Sequence, residues 1–354
     1  MAVKRIAIMT AWNSDSGVYI HAKPLVHAWR EMGLEVRVFS YIPEDFHGRV
    51  LFGEDEPYVK RCFGTSTRTN YLDPRPLLME DYDVLLIEDL KMLPMEPLSR
   101  IFSLIRRRAG AVVHILHENT ILGPKPPQPP IFYSFKWDAA VYIDERQRWF
   151  AEKLYGEKAI YIPFPCYPLR DGDRAQLRER LGLEVEGPLI LVYALGGYTP
   201  YLPELPAEGL EEARLLILAK EGEEVFAYPQ TEFRRTRPLT DEELDLYVLA
   251  SDAVILHKVR APPYPIAVTS TAVYQLLGAQ RPLLVPRLSE YFLPFEGVVL
   301  KYSDRVELRR LLVRALRGGR GGVEETMRRA RSFVEERSPK VIAEKYLRLF
   351  EELR

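Results

Sequence analysis

The sequence predicts an α/β protein built from two Rossmann-like, doubly wound domains, each with a parallel β-sheet covered by helices. Short apolar runs, as in strands buried on both faces, alternate with segments of helical apolar spacing. This alternation restarts after the proline-containing residues 163–168. With 354 residues the chain is long enough for two cores. We expect domains at 1–168 and 169–337, facing a cleft, and a C-terminal helix at 338–354 that packs back on the first domain.

The composition excludes several classes of protein. Lys and Arg number 49 and Asp and Glu 50, and this balance gives no global attraction to nucleic acid. Two cysteines, Cys62 and Cys166, are too few for a disulfide framework and predict a reducing, cytoplasmic compartment. The apolar run at the N-terminus is too short for a signal h-region, and no apolar stretch approaches the length of a membrane span. The 28 prolines and abundant arginines would suit a thermophile.

The first half begins with a βαβ pattern: a strand at 5–9, a loop of small polar residues, a helix at 18–32 and a strand at 35–41. Residues 42–76 are rich in Gly, Pro and charge, and predict an irregular insertion outside the core. Further strands are expected at 83–88, 111–116, 138–143 and 158–162, with helices at 97–108 and 145–155.

Two places in this half are candidates for chemistry. His117 and Glu118 directly follow the strand at 111–116, where either side chain could take or orient a proton. His114, inside the strand, is predicted to be a core residue. Ser16 and Gly17 lie in the loop after the first strand, at the same ligand edge of the sheet; an ordinary strand-to-helix turn is the alternative.

The second half repeats the alternation. A helix at 174–181 and a strand at 188–194 are followed by Gly196 and Gly197, which allow close approach of a ligand or of backbone. Strand-like runs occupy 214–219 and 225–228, and Thr240 with Glu243 forms a capping-box pattern. Strands at 253–257, 283–285 and 298–301, helices at 272–278 and 305–317, and a helical tail interrupted at Pro339 complete the chain.

Thr269, Ser270 and Thr271 form an N-cap cluster before the helix at 272–278. A helix that begins beyond the carboxyl end of a parallel strand directs unpaired N–H groups toward a bound phosphate. Simple capping is the alternative. Lys258 follows the strand at 253–257, either beside such a phosphate or in an exposed loop.

Other motifs give weaker signals. The chain has no HExxH, cysteine cluster, Gly-x-Ser-x-Gly elbow or P-loop, so we expect no metal site and no hydrolase or NTPase chemistry. The basic face of 328–337 suits either acidic lipid head groups, as a peripheral membrane contact, or paired charges on a solvated helix, which is favoured. The aromatics near the first ligand edge suit either stacking on a ligand or, more commonly, core packing; they are Trp12, Tyr19, Tyr133 and Trp137.

Four stretches resemble the GT-B glycosyltransferases, in particular the retaining family four. The opening strand, loop and helix are IAIMTAWNSDSGVYIHAKPLVHAWREMGLEVRVFSY, and the strand with its acceptor-side histidine is AVVHILHENT. The interdomain linker is DAAVYIDERQRWFAEKLYGEKAIYIPFPCYPLRDGDRAQLRERLGLEVEGPLILVYALGG. The donor-binding strand, helix and strand are SDAVILH and LLGAQRPLLVP. Together the stretches touch both predicted domains.

The resemblance implies a hexosyltransferase-type enzyme that moves a sugar from a nucleotide-diphosphate donor, of UDP or GDP type, to an acceptor hydroxyl. No further cofactor is implied, and the acceptor is a glycan, a lipid or a small metabolite. The second domain would hold most of the donor. The residues implied for the donor diphosphate are Ser16, Gly17, Lys258, Thr269, Ser270 and Thr271; Gly196, Gly197 and Gln275 are implied for the nucleotide or sugar, and His117 for the acceptor side.

The sequence departs from the family at its pair of glutamates. The family has two Glu separated by seven residues, whereas this chain has Ala267 and Gln275. Gln275 can hydrogen-bond to a ribose or sugar hydroxyl without the charge. The usual Arg and Lys after the first strand of the second domain are replaced by ALGGYTPYLPELP. A catalytically inactive GT-B-like protein, which binds a nucleotide or sugar or serves as a partner subunit, is therefore the alternative.

Overall fold

The chain forms two compact units, each built on one parallel β-sheet. The structure, a computed structural model, describes residues 3–88, 91–117, 135–183, 187–195, 209–220, 231–236, 239–259, 269–318 and 322–354. The first unit comprises Met1–Pro165, Pro263–Thr271 and Arg337–Arg354, and the second comprises Cys166–Pro262 and Ala272–Glu336. Among the helices described, none has both the length and the apolar character needed to cross a bilayer.

The first unit contains a seven-stranded sheet in the order β3-β2-β1-β4-β5-β6-β7, and every neighbouring pair is parallel. The order reverses between β1 and β4, and the carboxyl ends of strands at such a reversal form the usual ligand site of doubly wound sheets. The strands are β1 (Arg5–Met9), β2 (Glu35–Tyr41), β3 (Val59–Phe63), β4 (Tyr82–Glu88), β5 (Ala109–Leu116), β6 (Ala139–Tyr142) and β7 (Ala159–Tyr161).

The α-helices described in this part of the chain are α1 (Gly17–Glu31), α2 (Arg75–Leu78), α3 (Met95–Arg108) and α4 (Arg148–Tyr155). α1 begins where the hydroxyl of Ser16 accepts a hydrogen bond from Val18 N at 3.2 Å. This bond satisfies one of the N–H groups that have no partner within a helix. Gly33 then ends the helical segment with a positive φ of 82°, which glycine adopts readily.

The interpretation of residues 42–76 as an insertion outside the core is wrong. β3 pairs in parallel with β2 at the edge of the sheet, and Cys62 and Phe63 are buried in the core of the first unit. This strand is difficult to predict from the sequence, because Lys60 and Arg61 interrupt its apolar run. An edge strand tolerates such charges, since one of its sides has no neighbouring strand.

The second unit repeats the strand order of the first. Its six-stranded sheet runs β10-β9-β8-β11-β12-β13 with every neighbouring pair parallel, which in local order is the same 3-2-1-4-5-6. The strands are β8 (Leu189–Ala194), β9 (Arg214–Lys220), β10 (Thr231–Thr236), β11 (Ala253–Ile255), β12 (Leu283–Pro286) and β13 (Leu300–Tyr302). β10 was not predicted, and the predicted run at 225–228 lies outside the described residues.

The helices of the remaining chain are α5 (Arg174–Arg180), α6 (Asp241–Ala250), α7 (Thr271–Leu276), α8 (Arg305–Leu316), α9 (Val323–Glu336) and α10 (Pro339–Glu352). The capping box before α6 is confirmed: Glu243 N donates to Thr240 Oγ1 at 3.2 Å, and Thr240 N donates to Glu243 Oε2 at 2.9 Å. These two bonds fix the start of α6.

α10 belongs to the first unit. The indole N–H of Trp29, on α1, donates to the carbonyl of Ala343 at 3.3 Å. The Trp29 ring also meets the ring of Tyr346 edge to face, with centroids 5.8 Å apart. The last helix of the chain therefore completes the core on one face of the first sheet.

Candidate functional site

A cluster of polar side chains lies at the carboxyl edge of the first sheet. Thr10 follows β1, Glu88 ends β4 and His117 follows β5, so that adjacent strands bring the three together. His21 joins them from the second turn of α1. Thr10, Glu88 and His21 are buried. The sheet topology therefore gathers residues that are far apart in the sequence.

Glu88 is the centre of this cluster. One carboxylate oxygen, Oε1, lies 2.6 Å from Nδ1 of His21, and the other, Oε2, accepts a hydrogen bond from the Thr10 hydroxyl at 2.5 Å. Nε2 of His117 lies 3.7 Å from Oε1, which is beyond hydrogen-bonding distance but within direct electrostatic reach. The carboxylate thus has a polar neighbour on each of its oxygens.

The environment keeps Glu88 ionised. Burial alone would raise the pKa of its carboxyl group, but attraction to His21 and His117 outweighs burial and lowers that pKa to about 2. The pKa of His21 is lowered, because burial outweighs the attraction of Glu88. At neutral pH the pair is therefore a carboxylate and a neutral imidazole. Since a carboxylate only accepts, Nδ1 of His21 carries the proton.

The same residues are the one group in the described part of the chain whose side chains lie close enough to hold a metal ion. The ligand atoms of His21, Glu88 and His117 all lie within 4.8 Å of one another. Two imidazoles and a carboxylate suit zinc. The 2.6 Å separation between His21 and Glu88 is nevertheless a hydrogen-bond distance, and Thr10 occupies the second oxygen. We interpret the group as a hydrogen-bonded network, and the absence of a metal site stays a prediction.

The backbone at His117 is held by Gln147. The Gln147 amide nitrogen lies 3.3 Å from the carbonyl oxygen of His117 and 3.4 Å from that of Leu116. Its oxygen accepts from the backbone N–H groups of Ile143 and Asp144, both at 3.2 Å. The buried Gln147 amide therefore connects the ends of β5 and β6 through hydrogen bonds. Glu118, the other predicted catalytic residue, lies outside the described residues.

The predicted phosphate loop of the first unit has a structural role in addition to any ligand role. The Ser16 hydroxyl caps α1 through Val18 N, and it lies 3.4 Å from Nδ1 of His47. A Cβ atom placed on Gly17 would lie 3.0 Å from the methyl carbon of Thr271, which belongs to the same unit. The structure thus brings Gly17 and Thr271 together, and a side chain at Gly17 would require a shift.

In the second unit, Lys258 follows β11. Its ammonium group lies 4.1 Å from the centroid of the Tyr291 ring, and its carbonyl accepts from the Ser289 hydroxyl at 2.6 Å. The preceding residue, His257, lies 2.6 Å through Nδ1 from the Tyr302 hydroxyl. Burial lowers the pKa of His257. A neutral pair and a cation thus occupy this edge of the second sheet.

The predicted cluster before α7 is only partly exposed. Ser270 is buried, and Oγ1 of Thr269 is buried without a hydrogen-bond partner among the described residues. α7 has six residues and begins at Thr271. A helix of this length has only a small dipole, so any affinity for phosphate must come chiefly from side chains and individual N–H groups.

Gln275 is part of a buried network. Its amide nitrogen donates to Asp241 Oδ1 at 2.6 Å, and the other oxygen of Asp241 accepts from the Tyr167 hydroxyl at 3.1 Å. The guanidinium of Arg170 donates to the carbonyl of Gln275. The side chain therefore ties α7 to α6, and its predicted role toward a nucleotide or sugar would use its amide oxygen or its second amide N–H. Gly196 and Gly197 lie outside the described residues.

The burial of side chains and the ion pairs they form distinguish between several alternatives that the sequence left open. Trp12, Tyr19 and Trp137 are at most 5% exposed and pack in the first unit, whereas Tyr133 is outside the described residues. His114 is buried, with Nδ1 at 2.9 Å from the Tyr155 hydroxyl, which confirms it as a core residue. On the basic face of α9 the arginines pair with nearby glutamates on the same helix; the pairs are Arg328–Glu325, Arg329–Glu325 and Arg331–Glu335.

Comparison with known proteins identifies the fold of the chain. No protein-family model matches the chain. Sucrose-phosphate synthase from Thermosynechococcus elongatus is similar with a TM-score of 0.60 at 13% identity, covering 99% of both chains. HepE from Anabaena, in complex with UDP-glucose, has a TM-score of 0.62 at 11% identity over 98% of this chain and 99% of its own. The chain has the GT-B fold.

A further GT-B neighbour supports the same assignment. The α,α-trehalose-phosphate synthase (UDP-forming) from Burkholderia xenovorans, in complex with glucose-6-phosphate, has a TM-score of 0.62 at 13% identity over 98% of this chain and 100% of its own. The prediction of two Rossmann-like sheets in a GT-B protein is thereby confirmed.

Of the polar cluster at the first sheet, the sequence predicted His117 as a candidate site residue but did not predict Glu88 or His21. These two lie 67 residues apart, so no motif of fixed spacing contains them. The available signal was the acid at the end of the apolar run of β4. A carboxylate that ends a buried strand next to the reversal of strand order is a candidate for function.

Proposed function

We propose that the protein is a glycosyltransferase that moves a hexose from a nucleotide-diphosphate donor to an acceptor hydroxyl, with retention and without a metal ion. The observation that carries this proposal is the similarity, over nearly the whole chain, to a sucrose-phosphate synthase and to a UDP-forming trehalose-phosphate synthase. The complex of HepE with UDP-glucose and the UDP-forming synthase make UDP the first nucleotide to test.

On the donor side, transfer requires stabilisation of a diphosphate as it gains negative charge. A cation and oriented N–H donors can supply this without a metal. We assign the cation to Lys258, which follows β11, and the donors to Ser270 and Thr271. Ser16 and Gly17, together with Thr269, complete the proposed diphosphate residues, and Gly196, Gly197 and Gln275 the proposed nucleotide and sugar residues.

On the acceptor side we assign His117, with Glu118 beside it, to the reacting sugar. His117 follows β5, and its carbonyl is held by Gln147 at 3.3 Å. Its ring lies beside an ionised carboxylate, so it can accept a hydroxyl proton and have the resulting positive charge compensated. These features suit a residue that hydrogen-bonds to a sugar hydroxyl.

The first test is binding. Thermal unfolding is measured with UDP, GDP, ADP and their sugar conjugates, for the wild type and for Lys258→Ala. Lys340→Ala, which removes an exposed lysine from α10, is the matched control. A ligand that binds only the folded state raises Tm, so we expect one nucleotide to raise Tm in the wild type and the control, and less in Lys258→Ala. An equal shift in all three proteins would contradict the role of Lys258.

The second test is turnover. Release of the nucleoside diphosphate from the bound donor is followed with a panel of acceptors that begins with glucose-6-phosphate. We expect acceptor-dependent release by the wild type and, as for loss of an acid–base group, a fall of about 100-fold or more in His117→Ala. A donor that binds and is never turned over with any acceptor would contradict catalysis.

That last outcome would favour the second candidate, a GT-B protein that binds a nucleotide or sugar without transferring it. The network around Gln275 is the observation in its favour. An amide bound to Asp241 at 2.6 Å stands where the resembling family carries a carboxylate. Binding with turnover and binding without turnover therefore separate the two candidates.

A further inference from the structure

The ionised Glu88 enters the proposed transfer chemistry only as a charge that compensates His117. Its side chain is 0% exposed, as is that of His21. A buried carboxylate is strongly destabilising unless it is paired and hydrogen-bonded. Glu88 meets this condition through Thr10 and His21, and its Oε1 also faces His117. A buried charge directed at a candidate catalytic ring indicates a role beyond packing.

We propose that Glu88 is a positioning residue that, together with His21, fixes the orientation and the tautomer of His117. In this arrangement Nε2 of His117 carries the proton and faces the carboxylate, and Nδ1 carries no proton. The catalytic importance of this arrangement rests on the proposed transferase function. The arrangement itself does not.

The packing around the cluster leaves Glu88 little freedom. Its Oε2 is engaged by Thr10, which keeps Oε1 toward the two imidazoles. The ring of His21 meets that of His117 edge to face, with centroids 5.0 Å apart and planes at 87°. Phe164 lies against the same His21 ring at 5.0 Å. The His21 ring is therefore held in place by its neighbours. Together with the Glu88 carboxylate it restricts the orientation of the His117 ring.

The electrostatics lead to the same assignment. A carboxylate only accepts hydrogen bonds, so the nitrogen that faces it is the protonated one. The 3.7 Å separation is longer than a hydrogen bond, and such contacts commonly shorten when a substrate binds. An acid that faces one nitrogen of an imidazole fixes which nitrogen carries the proton and stabilises the ring when it gains a second proton.

Nitrogen-15 NMR of histidine-labelled protein tests this without an activity assay. The chain has six histidines, and His117→Gln assigns the signals of His117. Spectra at pH 8 are compared for the wild type, Glu88→Gln, which keeps an acceptor oxygen, and Glu88→Leu, which keeps none. Asp45→Asn is the matched control, because Asp45 is a buried carboxylate of the same unit that is bound to Thr65 and Thr69.

We expect His117 in the wild type to be protonated at Nε2 alone, and His21 at Nδ1. The His117 N–H proton should move upfield in Glu88→Gln and be lost to solvent exchange in Glu88→Leu, with no change in Asp45→Asn. A wild-type His117 protonated at Nδ1, or a His117 spectrum that is the same in both Glu88 variants as in the wild type, would overturn the proposal. Glu88→Gln folds most readily, because it keeps the shape of the side chain.

Kinetics then separate this proposal from the proposed function. If transfer is established, Glu88→Gln should lower kcat by about tenfold or more and leave the KM for the donor within about twofold, because neither Glu88 nor His117 is among the residues assigned to the donor. The expected spectra without any turnover would refute the transferase function and leave the positioning role of Glu88 intact. Turnover with the wrong tautomer would refute only the positioning role.

Discussion

The two sheets have the same strand order and use the equivalent edge differently. In the first unit, β4, the strand next to β1 at the reversal, ends in Glu88, an ionised carboxylate bound to Thr10 and His21. In the second unit, β11 stands in the same position beside β8 and is followed by His257, bound to Tyr302 at 2.6 Å. The first edge contains a buried charge and the second a neutral pair.

This difference shows that topology sets where a site lies and that individual side chains set what it can do. A buried carboxylate needs several donors around it, which makes the first edge rigid and suited to holding a catalytic ring. The second edge places Lys258 after a neutral pair, which suits the electrostatic capture of a diphosphate. We expect the two units to respond differently to the same kinds of perturbation.

The largest expected difference concerns α10. Phe350 is fully buried on this helix in the first unit, and Phe295 is fully buried in the second. Each change to Ala should cost about 3–5 kcal/mol of its own unit's stability. All four tryptophans lie within residues 1–165, so their fluorescence reports the first unit. Phe350→Ala should lower the urea midpoint detected by fluorescence. Phe295→Ala should leave that midpoint unchanged and shift only a transition detected by far-UV circular dichroism. Identical shifts in both signals would show that the units unfold together.

A smaller difference is expected at the two edges. Glu88→Leu leaves the Thr10 hydroxyl and His21 Nδ1 without their acceptor, and should cost about 3 kcal/mol in the first unit. His257→Leu leaves one hydroxyl, that of Tyr302, without its partner, and should cost about 1–2 kcal/mol in the second. Urea unfolding with the same two signals measures both. Equal costs would refute the distinction between a charged and a neutral edge.

Acid should also act more strongly on the first unit. Burial lowers the pKa of His114 to about 3, whereas the unfolded value is about 6.5. Below pH 6.5 the unfolded state therefore binds a proton that the folded state does not, so stability falls as the pH falls. Glu88, with its pKa lowered to about 2, adds stability above about pH 4.5 that is lost on further acidification.

His114→Gln isolates the first of these terms. The fluorescence-detected unfolding free energy of the variant should lose a slope of about 1.4 kcal/mol per pH unit between pH 6 and 4 relative to the wild type. If the variant keeps the full wild-type slope of unfolding free energy against pH, His114 is not the cause of the loss of stability in acid. Since Tyr155 bonds to His114, Tyr155→Phe serves as the control for loss of that hydrogen bond alone.

The smallest expected effect concerns the capping box. Thr240→Ala removes the acceptor of Glu243 N and should cost about 1 kcal/mol in the second unit. The circular-dichroism midpoint should shift and the fluorescence midpoint should not. Thr326→Ala, within α9 of the same unit, is the comparison at a position outside a helix cap. An equal loss in both variants would contradict the capping assignment.

The sequence predicted those parts of the fold whose signals are local. β1 contains the apolar run 6–9, α1 has a capped start, and β2 has apolar residues at Val36, Val38 and Phe39; all three elements appear where expected. β3 was missed because Lys60 and Arg61 lie in its middle, which an edge strand tolerates. The site was predictable at His117, which directly follows a strand. Glu88 and His21 depend on which strands become neighbours, and no local pattern contains that information.

The central claim, that the second edge captures the donor and the first edge orients the reacting ring, is tested most directly by hydrogen exchange with the nucleotide that raises Tm. With saturating nucleotide we expect amides at 253–259 and 269–276 to exchange at least about tenfold more slowly, and those of β4, ending at Glu88, to be unchanged. Protection confined to the first sheet would place the donor on the wrong edge. No protection by any nucleotide would contradict the donor site altogether.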